Sequence, residues 1–368
     1  MKRAVALLVA AAGGCVVAGE TSEVGKPCPC SETYECDQTT GTCRVPVSCS
    51  PQFSVQDFHA KWTTPESIRW DWVPLGDAAY HSSYRVIVGR NLDDVASGTG
   101  DVMVFDARIN PELGGYDIPD QSGFELVSFT TTDGLSPATD FYGRLEVRDS
   151  AGCTFSTEPV KATTQPAPTH SVAIFDEELS GYASPCGMTP TLGCGLDGSA
   201  CLKCSAQDSG LGRCIWDVDN PNTSDNENGW DNLYFVSQLD LAELDADAFA
   251  SGRAFLELEI GVRSSTPVYY SEVDFIMRGE GCVDELGVCA DYIDECLVEG
   301  KWFRRGGLII RPRAEGYDKL QIPLSQFAND LGPMTRDRFV SPLLSGLRLG
   351  ASFLYATEVD IDSITVRW

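Results

Sequence analysis

The C-terminal stretch, residues 317–368, constrains the fold most, because it holds two segments with the two-residue alternation of half-buried β-strands. In residues 320–324, apolar and polar side chains alternate, which predicts a strand with one buried face. In the final segment the apolar residues keep one parity up to Ile361 and the other parity from Ile364 onward. A strand absorbs such a phase change only through a bulge or a bend, which we predict near Asp362 and Ser363; a bulge there would re-aim Asp362.

Similar alternating segments fill residues 53–163, where Gly, Pro and Asp separate them. Ile68, Trp70 and Trp72 share one parity, and Tyr84 belongs to the next segment. Both parts of the chain therefore predict short antiparallel strands joined by turns. We expect an all-β fold class with two β-sandwiches.

Residues 49–163 resemble a fibronectin type III domain. The resemblance depends on the joint presence of Trp72, Tyr84 and a Leu-x-Pro-x-Thr segment at residues 135–139. It implies a two-sheet sandwich that acts as a spacer for the rest of the chain.

Two features of this domain are open to test. Phe141 stands where the family has the tyrosine whose hydroxyl returns to the backbone at the sandwich corner. That hydrogen bond is therefore either absent or supplied by Tyr142. The resemblance also places Cys49 and Cys153 at the same pole of the sandwich, and on that basis we predict a disulfide between them.

Residues 170–368 resemble the galactose-binding-like jelly rolls that many carbohydrate-binding modules share. The resemblance depends on Ile-Pro-Leu-Ser-x-Phe at 322–327, Val-Asp-Ile-Asp-Ser-Ile-Thr-Val at 359–366 and Ile-Phe-Asp-Glu-Glu-Leu at 174–179. It implies a second β-sandwich with cysteine-rich insertions. A Pro- and Thr-rich linker, residues 164–169, precedes it and is expected to be extended and semi-rigid.

Residues 25–48 have few aliphatic side chains to bury, so disulfides must hold any fold there. The segment resembles a small EGF-like module with two bridges. Adjacent spacing disfavours a bond between Cys28 and Cys30, so we expect them to pair with Cys36 and Cys43. Zinc is the competing interpretation of four clustered cysteines.

The third region contains eight further cysteines, five in one cluster and three in another. An odd number in each cluster requires at least one bridge between the clusters if all are oxidised. The spacing Cys201-x-x-Cys204 occurs in a Gly- and Ser-rich stretch without a strand-to-helix context, which favours a structural bridge over a redox role. The eight are Cys186, Cys194, Cys201, Cys204, Cys214, Cys282, Cys289 and Cys296.

Residues 1–20 have the layout of a secretory signal peptide, with two basic residues followed by a short apolar run. Residues 12–15 resemble a bacterial lipoprotein box, which implies acylation of Cys15; ordinary cleavage after Ala18 is the alternative. We therefore expect an exported protein at the outer membrane or cell surface, attached to the membrane only by lipid. An exported chain is also one in which disulfides persist.

The formal net charge of -27 argues against nucleic-acid binding, which needs a basic surface. The sequence also shows no metalloprotease helix, nucleophile elbow or phosphate-binding loop, and only three histidines, His59, His81 and His170. We expect a protein that is not an enzyme. A degenerate glycan hydrolase is retained as an alternative because acidic residues are abundant.

Carbohydrate binding is the sharper hypothesis for the C-terminal domain. If the apolar parity of each strand faces the core, four strands present acids, arginines and aromatic residues on one polar face. Such groups can hydrogen-bond and stack on a sugar, although a merely solvated sheet face has the same pattern. The candidate carbohydrate-binding residues are Phe255, Glu257, Glu259, Tyr270, Glu272, Asp274, Arg278, Trp302, Tyr317 and Gln321.

Structural calcium is a second hypothesis. The resembling family often holds an ion between its opening and closing strands, which here implies Asp176 or Glu177 with Asp360 or Asp362. Surface acids in an acidic protein are the alternative.

Together these observations predict a non-catalytic exported surface protein that binds a polysaccharide or glycosylated surface through its C-terminal jelly roll. The main alternative is a structural or protein-interaction surface lipoprotein that does not bind sugar.

Overall fold

The computed structural model describes nineteen segments of the chain. They are residues 24–30, 34–37, 40–44, 56–73, 81–107, 110, 113, 127–149, 154–175, 202–206, 212–218, 230–236, 240–262, 268–277, 301–310, 317–329, 332–341, 344–352 and 357–368. The chain divides into two compact units, residues 1–50 and 51–368. Within the described segments, no helix combines the length and the apolar character needed to cross a membrane.

The first unit contains a two-stranded antiparallel hairpin, β1 (Glu35–Asp37) and β2 (Thr42–Arg44). Disulfides join Cys28 to Cys36 and Cys30 to Cys43. The predicted crossing is confirmed, and because all four sulfurs are in disulfides, zinc does not use them.

The first sandwich of the second unit has a three-stranded and a five-stranded antiparallel sheet. The three-stranded sheet has the order β3-β4-β7, and the five-stranded sheet has the order β10-β8-β5-β6, with β9 also paired to β8. A short helix, α1 (Leu92–Ser97), connects β5 to β6. The strands are β3 (Gln56–Thr63), β4 (Ile68–Val73), β5 (His81–Gly89), β6 (Val102–Asp106), β7 (Val127–Thr131), β8 (Asp140–Asp149), β9 (Thr154–Ser156) and β10 (Val160–Thr163).

The core of this sandwich follows the alternation in the sequence. Trp70 and Trp72 are fully buried between the sheets, and Tyr84 packs edge-on against Trp72 with ring centroids 5.2 Å apart. Gly143 on β8 makes room for Trp70, since a Cβ at this glycine would lie 2.5 Å from the indole ring. The predicted fibronectin type III-like sandwich is confirmed.

Phe141 has no hydroxyl group to hold the corner of the sandwich, and its ring is buried in the core. Thr164, also buried, donates its hydroxyl to the carbonyl of Ser136 at 2.6 Å and accepts from the amide of Thr139 at 2.9 Å. A threonine directly after β10 thus holds the Leu-x-Pro-x-Thr segment in place.

The second sandwich has two antiparallel sheets, which we name by a central strand. The β22 sheet has the order β12-β13-β22-β15-β18, with β11 also paired to β22; the β16 sheet has the order β14-β21-β16-β17-β19-β20. The strands are β11 (Ser171–Phe175), β12 (Leu202–Ala206), β13 (Gly212–Val218), β14 (Trp230–Val236), β15 (Phe255–Val262), β16 (Val268–Met277), β17 (Lys301–Ile310), β18 (Asp318–Pro323), β19 (Ala328–Asn329), β20 (Gly332–Pro333), β21 (Leu344–Ser352) and β22 (Thr357–Arg367).

Three short helical segments connect strands in this sandwich. They are α2 (Ala246–Ala250), a 3-10 helix (Leu324–Gln326) and α3 (Arg336–Phe339). Between the sheets, Leu256 and Leu258 from β15 share one core with Phe275 from β16. Phe275 contacts the ring of Phe327 edge-on, with the centroids 4.8 Å apart. The all-β fold class is confirmed.

The predicted bulge lies in β22. Glu259 pairs with Ser363 and Ile260 pairs with Ile361, so Asp362 is the extra residue between them. The bulge lets apolar residues of opposite parity, on either side of it, face the same core.

Several predictions concern residues outside the described segments, namely acylation of Cys15, the Cys49–Cys153 bridge, and the pairings of Cys186, Cys194, Cys201, Cys282, Cys289 and Cys296. Asp176, Glu177 and Arg278 lie outside them as well. Cys204 on β12 and Cys214 on β13 are register partners.

Candidate functional site

The predicted carbohydrate-binding residues divide between two surfaces. Glu257 and Gln321 belong to the β22 sheet, whereas Glu272 and Asp274 belong to the β16 sheet. Because the inner faces of both sheets pack on one core, their outer faces point in opposite directions. The prediction of a single polar face made by four strands is therefore wrong, and each outer face must be judged separately.

The outer face of the β22 sheet is covered where it carries its polar residues. Gln321 and Glu257 are both 3% exposed, and Gln321 accepts a hydrogen bond from the hydroxyl of Thr64 in the first sandwich. Phe255, predicted for the same face, is 0% exposed. These three side chains are therefore not open to a ligand.

At the rim of this face, Glu259 is paired with the bulge residue Asp362. Burial raises the pKa of Glu259 above its ordinary value, and a hydrogen bond to Asp362 raises this pKa further, while Lys319 opposes the rise. The bulge thus turns Asp362 toward another carboxyl group. Tyr317, at the start of β18, is partly buried.

The calcium prediction depends mainly on residues outside the described segments. Asp360 is fully buried and Asp362 is partly exposed. Among the residues that the structure describes, no three carboxylates come close enough together to hold an ion. The calcium site stays a prediction that needs Asp176 or Glu177.

The outer face of the β16 sheet carries four charged side chains that we call the arginine–carboxylate cluster: Glu272, Asp274, Arg304 and Arg348. Arg348 donates through Nε to Asp274 at 2.7 Å, and its terminal nitrogen contacts both carboxylates. Arg304 Nε lies 3.1 Å from Glu272 Oε2 and 3.0 Å from Asp274 Oδ1. Each arginine therefore binds both acids.

Strand register explains why these residues meet. Asp274 on the central strand β16 pairs with Arg304 on β17 and with Arg348 on β21. Cross-strand partners share a face of the sheet, so Asp274 lies between the two arginines, and together with Glu272 it balances their charge. On β21, Gly346 and Gly350 flank Arg348 at two-residue spacing and share its face. At these two positions β21 itself adds no side chain next to Arg348.

The cluster is buried except at one member. The side chains of Asp274, Glu272 and Arg348 are 0%, 3% and 11% exposed, whereas that of Arg304 is 41% exposed. Burial raises the pKa of Glu272, the nearby Asp274 carboxylate raises it further, and the two arginines offset part of the rise. Solvent therefore meets the cluster mainly through the Arg304 side chain.

Two aromatic candidates are described only by backbone register. Trp302 pairs with Ile276, two residues along β17 from Arg304, and Tyr270 pairs with Ser352. Both have the strand parity of the cluster.

The residues predicted from the sequence did not include Arg304 and Arg348, the two arginines of the cluster. The alternation of Leu347 and Leu349 places Arg348 on the outer face, but the sequence assigns no face to Arg304, because Arg305 and two glycines interrupt the alternation that follows it on β17. Cross-strand pairing with Asp274 is the signal that identifies it, and this pairing requires the sheet order.

The described histidine side chains lie apart from the cluster, whereas a cavity between the sheets reaches Glu272. His59 contacts the carbonyl of Asp57 through Nδ1 at 2.7 Å, and the exposed His170 stacks on Trp368. A small cavity between the sheets is lined mainly by aliphatic residues, including Leu258 and Leu308. Its apolar lining suits core packing rather than recognition of hydroxyl groups.

Fold and site together define a disulfide-containing, all-β protein with two sandwiches. No protein-family model and no curated protein matches the chain. Among solved structures, PfGH50B is similar at 12% identity and a TM-score of 0.26, over 45% of this chain and 21% of that protein. The fn3 domain of human contactin 1 is similar at 16% identity and a TM-score of 0.24, over 36% and 93%.

Chitinase ChiA74 from Bacillus thuringiensis is similar at 10% identity and a TM-score of 0.20, over 73% of this chain and 28% of the chitinase. This chain thus spans about a fifth of PfGH50B and about a quarter of the chitinase. Similarity this low shows no function shared with these proteins.

Proposed function

We propose that this chain is a non-catalytic, exported surface protein that binds carbohydrate on the outer face of the β16 sheet. The observation that carries the proposal is the arginine–carboxylate cluster, in which two buried carboxylates, also bound by Arg348, hold the accessible guanidinium of Arg304 in a fixed position. A rigid site of this kind loses little conformational entropy when a ligand binds.

The chemistry of the cluster suits sugar hydroxyls. The oxygen of a hydroxyl group can accept from an N–H of the exposed Arg304 guanidinium, whereas both carboxylates of the cluster are buried. Because two acids balance two arginines, the net charge of the cluster is zero. This favours a neutral sugar over an anionic one, as does a chain of net charge -27.

The opposite outer face supports the proposal less well. Its central polar residues, Glu257 and Gln321, are buried against the first sandwich and already hydrogen-bonded. A sugar could reach them only by displacing that sandwich.

A non-catalytic role fits the geometry of the acids. Glu272 and Asp274 lie side by side on one strand, and both are held by the same two arginines. Glycoside hydrolysis instead uses two carboxyl groups that face each other across the scissile bond. Export and lipid attachment through Cys15 belong to the proposal on sequence grounds.

A glycan array on the full chain, followed by titration of the strongest hit, tests the proposal. Arg304→Ala should weaken binding by about 10- to 100-fold, the loss expected when a hydrogen bond to a charged group is removed. Arg85→Ala is a matched control, because Arg85 is an exposed strand arginine of the first sandwich with one ion pair, to Glu146. Binding that survives Arg304→Ala unchanged, or no sugar bound at all, would contradict the proposal.

A further inference from the structure

The two sandwiches of residues 51–368 meet through a buried polar contact. The turn between β3 and β4, residues 64–67, lies against β18 of the second sandwich. The hydroxyl of Thr64 donates to Gln321 Oε1 at 2.5 Å, and the backbone amide of Glu66 donates to the same oxygen at 3.2 Å. Thr64 and Ser67 are completely buried.

The hydrogen bonds form a chain with one consistent direction. With the Thr64 proton given to Gln321, the hydroxyl of Ser67 donates to Thr64 Oγ1 at 2.5 Å. Gln321 Nε2 then donates to Glu257 Oε2 at 2.6 Å, and Glu257 Oε1 lies 2.8 Å from Nε of Arg367. From Ser67 to Glu257 each member hydrogen-bonds to the next, so a rotated interface would leave several buried polar groups without a partner.

An ion pair adds to the contact at its rim. Lys319 Nζ lies 3.1 Å from Glu66 across the interface and 3.5 Å from Glu259 on its own sheet. Burial lowers the pKa of Lys319, but the hydrogen bond to Glu66 and the carboxylates of Glu257 and Glu259 outweigh it and raise this pKa above its ordinary value. These groups are partly exposed, so they add less to the contact than the buried chain.

The covalent connection is held at both ends. The amide of Gln165 donates to the carbonyl of Thr64 at 3.1 Å, which fixes the start of the linker to the first sandwich. The amides of Thr169 and His170 donate to the carbonyl of Trp368 at 2.9 Å, which fixes its end to the second. Only residues 166–168 lie between these anchors, and two of the three are prolines.

We infer that the two sandwiches form one rigid body, and that the surface recognised by the β3–β4 turn is the outer face of the β22 sheet. Gln321 specifies the docked arrangement, because its amide pairs with both sandwiches at once. The first sandwich then holds the second in one fixed orientation rather than acting as a flexible spacer. This inference does not depend on sugar binding.

Single-molecule energy transfer on the full chain tests the inference. Dyes are placed at the exposed Val104 of the first sandwich and the exposed Ala250 of the second through unnatural amino acids, which leaves the cysteines untouched. We expect one narrow distance distribution for the otherwise unchanged chain. It should broaden in Gln321→Ala and in Thr64→Val, which removes only the bridging hydroxyl.

Gln326→Ala is the matched control, because Gln326 is a partly buried glutamine on the neighbouring 3-10 helix. It should keep the narrow distribution. Calorimetry should show the transitions of the two sandwiches separating by about 2 to 4 °C or more in the Thr64 and Gln321 variants. A broad distribution before any substitution, or narrow distributions in both variants, would overturn the inference; Thr64→Val decides the matter if Gln321→Ala does not fold.

Discussion

The two outer faces of the second sandwich use similar side chains in different ways. On the β22 sheet, a neutral amide, Gln321, connects Glu257 to a hydroxyl of another domain. On the β16 sheet, Glu272 and Asp274 are neutralised by arginines of their own sheet. On the β22 sheet, Gln321 is already paired with the first sandwich. On the β16 sheet, the guanidinium of Arg304 remains exposed. The comparison indicates that pairing across strands, rather than the kinds of residue present, separates a docking face from a candidate ligand face.

The energetic cost of removing a partner should differ between the faces. Removing the partner of a buried charge leaves that charge unpaired and strongly destabilises the folded state. Removing the partner of a neutral group, or of a group that can reach water, destabilises it much less. Three substitutions, from the largest expected effect to the smallest, sharpen or break this comparison.

Arg348→Ala should have the largest effect. It leaves Asp274 and Glu272 buried with only the half-exposed Arg304 beside them, and we expect a loss of about 3 to 5 kcal/mol in the free energy of unfolding. Urea unfolding followed by tryptophan fluorescence measures it. Arg304→Ala is the matched substitution and should cost about 1 kcal/mol or less, since Arg348 still pairs with both acids. Equal costs for the two arginines would break the distinction between the buried and the accessible member.

Alternation in the sequence predicted which side chains face the core, and it did so through a phase change. Ile361 and Ile364 have opposite parity, yet both lie in one core because of the bulge at Asp362. That Cys28 and Cys30 bond to Cys36 and Cys43 was also predictable, because cysteines two residues apart cannot easily bond to each other, but this spacing does not determine which of the two each one takes.

Sheet membership was not predictable in the same way. A two-residue period distinguishes inside from outside, but it contains no information on which strand lies beside which. Glu257 and Glu272 therefore seemed to share a face, although β15 pairs with β18 and β22 while β16 pairs with β17 and β21. Phe255 shows a related gap: its outward parity was recognised, but its complete burial cannot be derived from the period of its own strand.

Glu257→Ala should have an intermediate effect. It removes the acceptor of Gln321 Nε2 and the partner of Arg367, whose side chain is 35% exposed and can turn to water. We expect a loss of about 1 to 3 kcal/mol, the cost of leaving a buried amide unsatisfied. The same urea titration measures it, with Glu158→Ala, an exposed glutamate of the first sandwich, as the control. A loss as large as that of Arg348→Ala would mean that the β22-sheet face depends on charge as strongly as the other face does.

Glu259→Gln should have the smallest effect, and its pH dependence has a definite sign. Because the pKa of Glu259 is raised in the folded protein, the folded state takes up a proton before the unfolded state does as the pH falls. Stability from this group therefore increases on acidification from neutral pH and is complete once the pH is below the ordinary glutamate value, about 4.5.

Glutamine mimics the protonated carboxyl, so Glu259→Gln should change stability at pH 7 by no more than about 0.5 kcal/mol, because it exchanges the repulsion from Asp362 for the lost ion pair with Lys319. Its unfolding free energy should then rise less between pH 7 and pH 5 than that of the unchanged chain. Glu272→Gln offers the same comparison on the opposite face, since burial and Asp274 raise the pKa of Glu272 as well. A steeper pH dependence after either substitution would show that the ionised carboxyl is favoured at that face, and that its partners outweigh its burial.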